Sequence, residues 1–324
     1  MIMDFIRCQQ EQGRTVESVC RVLSEQGLQV AARTYRAWQA RRTLSPRLLT
    51  LAYLMNAIHT LAFGWDAAAG RWRLRPEGLY GRRKMTALLA RHGHCGVSYG
   101  RVHTAMGALR HNGIRRARAH RTTIPAMDGR RAGDLLNRDF TAAAPNRVWV
   151  TDFTYVRTWS GFVYVAFIVD VFAQRIVAWH ADTSKATELV MTPLRMALWQ
   201  RGHEGHPVRR HELVHHSDAG SQYTSIRFTE HLALEDIAPS VGTVGDAYDN
   251  ALMESIIGLY KTECVGTDVF HDGPYRTLAD VEFATAGWTS WYNNSRLHTS
   301  LGMDTPVEAE QAHYADLTLE ARPV

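Results

Sequence analysis

Three acidic residues in the second half of the chain have sequence surroundings that suit metal-dependent chemistry. Asp152 lies among apolar and hydroxyl residues, Asp218 follows a short apolar stretch, and Glu254 lies in an apolar segment that predicts a helix. A buried carboxylate without a partner is unfavourable, so such groups are usually paired, hydrogen-bonded or bound to metal. Carboxylates suit Mg²⁺, and two such ions can stabilise the attacking and leaving oxygens of a phosphoryl displacement. Spacing alone leaves open the alternative that each is a surface or capping carboxylate.

The residues around Asp152 predict a mixed α/β sheet. Apolar, β-branched and aromatic residues occupy both faces from Arg147 onward, as in a central strand that is covered on both sides. The predicted elements are strands at 147–156, 162–171 and 175–180, a helix at 186–200 and a strand at 212–215. Asp218 would lie just beyond the carboxyl end of the last strand, where α/β folds commonly place ligands. A three-strand meander followed by helix–strand alternation indicates the mixed α/β class.

Glu254 is predicted to lie on a helix over residues 249–261. Asn250, Glu254 and Lys261 share one face of that helix, and Gly258 on the same side lets a partner approach closely. The apolar residues of the opposite face would pack against the core. This polar face therefore belongs to the candidate site.

Other acidic residues and histidines near these positions are predicted to be structural. Asp170 is expected to serve a turn or a hydrogen bond, and Glu263 lies about half a turn around the helix from Glu254. Asp246 and Asp249 suit helix N-caps. The histidines at 203, 206, 211, 215 and 216 have no nearby cysteine pair, which disfavours a structural zinc site.

The charge of the chain is distributed unevenly between its two halves. Residues 1–146 contain 24 Lys and Arg against nine Asp and Glu, whereas residues 147–324 contain 13 against 23. All but one of the cations in the first half are Arg, whose forked guanidinium binds phosphate and guanine edges. A basic half of this kind suits a polyanion such as nucleic acid, although an Arg-rich genome would produce the same bias.

Two pairs of short helices are predicted in the basic half. The first pair lies within residues 15–42 and the second within 80–112, where Ser98 suits the N-cap of the later helix. Each pair is compatible with a helix-turn-helix, and the alternative is a small basic hairpin of helices. The arginines predicted to contact DNA from these pairs and from the start of the following linker are Arg33, Arg36, Arg101, Arg110, Arg115 and Arg116.

Composition excludes several other classes of protein. The four cysteines are far apart, which disfavours a disulfide framework and suits a reducing cytoplasm. The N-terminus lacks the pattern of a signal peptide. The longest apolar run, Leu48 to Trp65, is interrupted by Asn56 and His59, so it predicts a buried helix and no membrane span.

Four ordered blocks of the second half resemble the DDE integrase-core transposases of bacterial insertion sequences, specifically the OrfB-type catalytic protein of the IS-three family. They read WVTDFTY at 149–155, HHSDAGSQYTS at 215–225, GDAYDNALMES at 245–255 with KTE at 261–263, and WYNNSRLHTSLG at 291–302. The sequence LYGRRK at 79–84 resembles the helix-turn-helix region of that family. The four blocks of the second half span about half of the chain.

The resemblance implies a ribonuclease-H-like core in which Asp152, Asp218 and Glu254 hold two Mg²⁺ ions, with Mn²⁺ as a substitute. It implies that 3′-hydroxyl ends of element DNA attack phosphodiesters by transesterification, without a covalent protein intermediate. Lys261 would contact the DNA backbone beside the triad. Asn250, on the same face of the predicted helix, is also predicted to contact DNA. The presence of all three carboxylates argues against the alternative of a non-catalytic DNA-binding regulator. A ribonuclease-H-like nuclease that does not join strands stays open as another alternative.

The same resemblance implies partners and a domain plan. Partners would be terminal-repeat and target DNA, further copies of this chain on DNA, and an upstream reading-frame product. The expected location is the bacterial cytoplasm, with the nucleoid. Helical DNA-binding modules are predicted at 1–45 and 46–114, a basic linker at 115–146, the integrase core at 147–312 and a tail at 313–324.

Overall fold

The structure is a computed structural model that describes residues 2–42, 45–115, 135–136, 139–218, 222–242 and 250–320. The chain divides into two compact units, residues 1–57 and 58–324. The second unit contains the predicted core and, from residue 58 onward, the second predicted helical module, whose first residues belong to the first unit. Among the described residues, none of the helices has the length and apolar character needed to cross a membrane.

Helices build the first unit around a small apolar core. They are α1 (Ile2–Glu11), α2 (Val16–Glu25), α3 (Ala32–Arg42) and the start of α4 (Pro46–Ala62). The predicted pair of helices corresponds to α2 and α3, with Thr15 accepting a hydrogen bond from Ser18 N as the N-cap of α2. Buried Ile6, Val19 and Tyr35 join α1, α2 and α3.

The prediction of a buried helix from Leu48 to Trp65 is wrong in two respects. Leu48 and Tyr53 on α4 are 49% and 75% exposed, and only its later turns are buried. The end of the run forms β1 (Phe63–Asp66), which pairs with β2 (Arg71–Leu74) in an antiparallel hairpin. The carboxylate of Asp66 accepts hydrogen bonds from two backbone N–H groups of the intervening turn, and this favours the hairpin over a continued helix.

The second helical pair consists of α5 (Arg82–Arg91) and α6 (Tyr99–Ala108). Ser98 caps α6 as predicted, by accepting a hydrogen bond from Arg101 N. This pair packs on the C-terminal part of the chain: the hydroxyl of Tyr80, just before α5, accepts from Leu297 N at 2.9 Å and donates to Ser295 O at 3.2 Å. The pair is therefore anchored within the second unit.

A five-stranded mixed sheet forms the centre of the second unit. Its strands are β3 (Val148–Thr158), β4 (Gly161–Asp170), β5 (Arg175–Asp182), β6 (Val214–Ser217) and β7 (Ala238–Val241). The spatial order is β5-β4-β3-β6-β7, with β3, β4 and β5 antiparallel and β3, β6 and β7 parallel. The predicted mixed α/β class is confirmed, and β7 is a strand that the sequence pattern did not predict.

Helices cover both faces of this sheet. On one face, α7 (Glu188–His203) and α8 (Ile226–Leu234) pack on Trp149 and its neighbours. On the other face lie α9 (Ala251–Leu259), a π-helical turn (Tyr260–Val265) and α10 (Leu278–Asn294). Phe167 of β4 contacts the rings of Tyr260 and Trp288 there, at centroid distances of 5.1 and 6.1 Å. The last helix is α11 (Pro306–Glu320).

A buried ion cluster fixes α11 to the sheet. The guanidinium of Arg201 on α7 is fully buried and contacts Asp170 at 2.9 Å and Glu310 of α11 at 2.6 Å. Asp170 also accepts hydrogen bonds from Asn146 N and the Trp149 indole. These bonds are in line with the structural role predicted for Asp170.

Candidate active site

Asp152 and Asp218 are brought together by the parallel pairing of β3 with β6. Val150 pairs with His216, and each carboxylate lies two residues further along its chain. Neighbouring strands are about 4.8 Å apart, so the two residues lie side by side, just beyond the carboxyl end of β6 and partway along β3. Asp152 is half-buried and accepts a hydrogen bond from Phe153 N at 2.7 Å, whereas Asp218 is exposed.

Glu254 approaches this pair from α9. Asn250 is the N-cap of α9, and its side-chain amide donates to the carbonyl of Thr151 at 3.1 Å. This hydrogen bond attaches the start of α9 to β3 next to Asp152, and Glu254 is exposed one turn later. Asn250 is 8% exposed, so its position does not suit the DNA contact predicted for it.

Burial and the neighbouring charges of the site shift the pKa of Asp152. Burial is the largest cause that raises its pKa, to about 7, and the neighbouring carboxylates of Asp218 and Glu254 raise it further. The hydrogen bond from Phe153 N and the positive charge of Lys261 lower it. Three predicted site residues, Asp218, Glu254 and Lys261, therefore lie within electrostatic range of Asp152.

The phenol of Tyr223, for which the sequence predicted no role, lies near the carboxylates of Asp152 and Asp218. Tyr223 is buried, and its hydroxyl lies 3.4 Å from that of Thr151. Burial raises the pKa of Tyr223 well above its ordinary value, and the charges of Asp152 and Asp218 contribute to the rise. Its only sequence signal was its place five residues after Asp218 in the HHSDAGSQYTS block.

The π-helical turn after α9 presents Lys261. The predicted regular helix to residue 261 ends at Leu259, and such π turns occur frequently at functional sites. Lys261 is exposed, and its ammonium lies 5.0 Å from the ring centroid of Tyr155 on β3. Glu263 is buried in a salt bridge with Arg296, which agrees with the prediction that it points away from Glu254.

The donor set suits a divalent cation. All three groups are carboxylates, which Mg²⁺ and Mn²⁺ accept as ligands, and a cation would relieve the repulsion that raises the pKa of Asp152. Within the described ranges, no three acidic, imidazole or thiol side chains converge closely enough to form a finished metal site.

The arginines predicted to bind DNA lie mostly at the surface. Arg101 and Arg110 are exposed on and just after α6, and Arg115 is exposed beyond them. Arg33 is exposed on α3, whereas Arg36 forms a salt bridge with Glu17. Arg116, Asp246 and Asp249 lie outside the described residues.

The clustered histidines have separate structural surroundings. His203 stacks on Trp199 and His206 on Tyr314. His215 is buried against Phe228, and His216 lies 2.8 Å from the Ser240 hydroxyl. His211 is exposed in the turn before β6.

Comparisons with known proteins agree with this architecture. Two family models described as integrase core domain match residues 142–247 and 235–306. The chain is 47% identical over 238 residues to a protein of Mycobacterium tuberculosis (strain ATCC 25177 / H37Ra) named as transposase for insertion sequence element IS986/IS6110, covering 74% of this chain and 84% of that protein.

Two further relatives carry similar names. The transposase for insertion sequence element IS629 of Shigella sonnei is 45% identical over 243 residues, covering 74% of this chain and 76% of the relative. Transposase InsF for insertion sequence IS3A of Escherichia coli (strain K12) is 27% identical over 306 residues, covering 93% and 96%. The last alignment extends over both units of this chain.

Proposed function

The chain belongs to the integrase-core transposases of bacterial insertion sequences, in the IS-three family, and we propose that Asp152, Asp218 and Glu254 are the carboxylates with which it cleaves and joins element DNA. One observation carries the assignment. Asp218, which follows a neighbouring strand, and Glu254, which lies on a helix, both raise the pKa of Asp152 in the sheet. Carboxylates gathered in this way suit cation-dependent phosphoryl transfer.

Asp152, Asp218 and Glu254 would hold two divalent cations, Mg²⁺ or in its place Mn²⁺. When bound, such ions activate an attacking hydroxyl and stabilise the leaving oxygen of an in-line displacement. Asp152 would be the fixed ligand because β3 and the Phe153 N–H hold its carboxylate in place. Asn250 positions α9, and with it Glu254, through its hydrogen bond to Thr151.

DNA would be held by basic residues outside the triad. Lys261 lies within electrostatic range of Asp152 and would contact a phosphate next to the reacting one. Arg101 on α6, the second helix of the helix-turn-helix-like pair, and Arg110 just after that helix would contact phosphates. The substrates would be the terminal repeats of the element and the target DNA, in the cytoplasm and at the nucleoid.

Assembly on DNA follows from this reaction. Two element ends must be brought together before they are joined, so we propose that further copies of this chain assemble on DNA. An upstream reading-frame product is a second proposed partner, because this chain would then obtain additional DNA binding and contacts between copies.

The triad assignment is tested with Asp218→Asn, which removes one charge with little change in volume. We expect it to abolish Mg²⁺-dependent cleavage of DNA that carries the element ends while duplex binding is retained. Glu230→Gln, which changes an exposed residue of α8, is the matched control, and this variant should cleave at the normal rate. Cleavage by Asp218→Asn at the normal rate would overturn the assignment. Cleavage by the wild-type chain without joined products would favour the alternative of a nuclease.

A further inference from the structure

A group of exposed aromatic side chains lies at the end of the β3–β4 hairpin. Tyr155, Trp159 and Phe162 are 56%, 71% and 49% exposed. The rings of Tyr155 and Phe162 meet edge to face, with centroids 5.3 Å apart. Exposed aromatic surface of this kind is unfavourable in water and commonly marks an interaction site.

Cations accompany these rings. Lys261 lies over Tyr155 at 5.0 Å, and Arg276 lies over Trp159 at 5.0 Å. Aromatic rings interleaved with Lys and Arg suit single-stranded nucleic acid, because bases stack on the rings while the cations follow the phosphates. An uncharged protein partner would not use these cations.

The hairpin holds the rings in a fixed position. Trp159 N and Ser160 N donate to the carbonyls of Tyr275 and Arg276 at 3.1 Å each. The Thr158 hydroxyl donates to Gly161 O across the turn. A surface that is already ordered loses little conformational freedom when a ligand binds.

The aromatic group lies on the same strand as one of the proposed catalytic carboxylates. Tyr155 follows Asp152 by three residues on β3, a distance of about 10 Å along the backbone, and the odd offset turns the two side chains to opposite faces of the strand. That distance corresponds to roughly three stacked base steps of a DNA strand. Lys261 connects the aromatic group with the carboxylates, since it lies over the Tyr155 ring and its positive charge also lowers the pKa of Asp152.

We propose that Tyr155 and Phe162, with Lys261, form a stacking platform for an unpaired DNA base close to the phosphodiester that is cleaved. The inference rests on the proposed function, since the triad defines where that phosphodiester lies. Lys261 would contact the adjacent phosphate, and Arg276 beside Trp159 would extend the cationic surface along the strand. The platform would thus hold a strand end that has been separated from its complement.

The test measures base-dependent binding in EDTA, where cleavage does not interfere. The probes are a fluorescent oligothymidylate and an abasic oligomer of the same length, and binding is followed by anisotropy. We expect the full-length wild-type chain to bind the oligothymidylate roughly tenfold more tightly than the abasic oligomer, because stacking requires the bases. Tyr155→Ala should lower this ratio by about fivefold or more, and Tyr155→Phe should preserve it.

Three further variants make the result specific. Phe162→Ala should also lower the ratio, whereas Trp199→Ala, an exposed aromatic on α7, should leave it unchanged. Asp218→Asn should keep the ratio while losing cleavage, so failure of the platform and failure of the triad give different results. A wild-type chain without base preference, or an unchanged ratio in folded Tyr155→Ala and Phe162→Ala, would overturn the proposal.

Discussion

Asp152 on β3 and Asp218 after β6 lie side by side, because Val150 pairs with His216 and each carboxylate follows two residues later. The parallel register therefore brings together residues that are 66 positions apart in the sequence. Burial is the largest cause that raises the pKa of Asp152, and repulsion by Asp218 and Glu254 raises it further. Such a cluster destabilises the metal-free fold and favours cation binding, which connects stability to the proposed chemistry.

The first prediction concerns Asp152 and pH. Its carboxyl has an ordinary pKa of 3.8 and a folded pKa of about 7, so the folded state retains a proton that the unfolded state has lost between these values. The stability contribution of protonated Asp152 is present below about pH 4 and is lost as pH rises to about 7. Asp152→Asn should therefore raise the free energy of unfolding by about 1–2 kcal/mol at about pH 8. Urea unfolding in EDTA measures this difference.

The pH dependence separates this effect from general stabilisation. The gain from Asp152→Asn should shrink steadily as the pH is lowered toward about 4. Asn keeps an oxygen that can accept the hydrogen bond from Phe153 N, so local geometry is preserved. A gain that is equal at all pH values would contradict the assignment of the raised pKa to Asp152.

The second prediction concerns metal binding without catalysis. Mg²⁺ should raise the melting temperature of the wild-type chain, because a ligand that binds only the folded state stabilises it. The shift should disappear in Asp218→Asn and persist in Glu230→Gln, since Glu230 lies exposed on α8. Differential scanning fluorimetry across a Mg²⁺ series gives the comparison. Equal shifts in both variants would place the responsible cation elsewhere.

The third prediction concerns the buried ion cluster. Glu310→Ala should destabilise the second unit by about 3–5 kcal/mol, because Arg201 would keep a buried charge without one of its partners. Glu308→Ala is the control on the same helix: Glu308 also pairs with an arginine, Arg91, but at the surface, and should lose about 1 kcal/mol or less. Chemical unfolding of the two variants tests the difference. Similar losses would argue against the cluster as the main anchor of α11.

The fourth prediction concerns DNA binding by α6. Neutralising Arg101 and Arg110 together should weaken duplex binding and lower the slope of log affinity against log salt by about 0.9 for each phosphate that the protein no longer neutralises. Arg195→Gln removes an exposed arginine from α7 and should leave the slope unchanged. Binding titrations at several salt concentrations provide both quantities. An unchanged slope in the double variant would mean that α6 does not touch phosphate.

Much of the fold could be predicted because strong local patterns agree with the tertiary structure. The apolar runs that became β3, β4 and β5 fill the centre of the sheet, and Ser98 caps α6 as its position suggested. β7 was missed because it has only four residues and contains Pro239, and its pairing with β6 is a long-range contact. Strand pairing of this kind leaves little signal in a short stretch of sequence.

The site shows the same division between local and long-range information. The sequence blocks predicted that Asp152, Asp218, Glu254 and Lys261 belong to the site. In the structure the last three all shift the pKa of Asp152. Asn250 was predicted to face DNA, because helical periodicity placed it with Glu254, but its amide bonds to the backbone of β3. Helix periodicity gives the face of a residue and does not give the neighbour that covers that face.

The most direct test of the account is strand joining by wild type and Glu254→Gln with Mg²⁺ or Mn²⁺. The substrate is DNA that carries the ends of the encoding element, and the assay resolves nicked from joined products. We expect metal-dependent joined products from wild type and none from Glu254→Gln, with equal DNA binding by both. Joining by Glu254→Gln at the wild-type rate would contradict the central claim that these three carboxylates carry out the reaction.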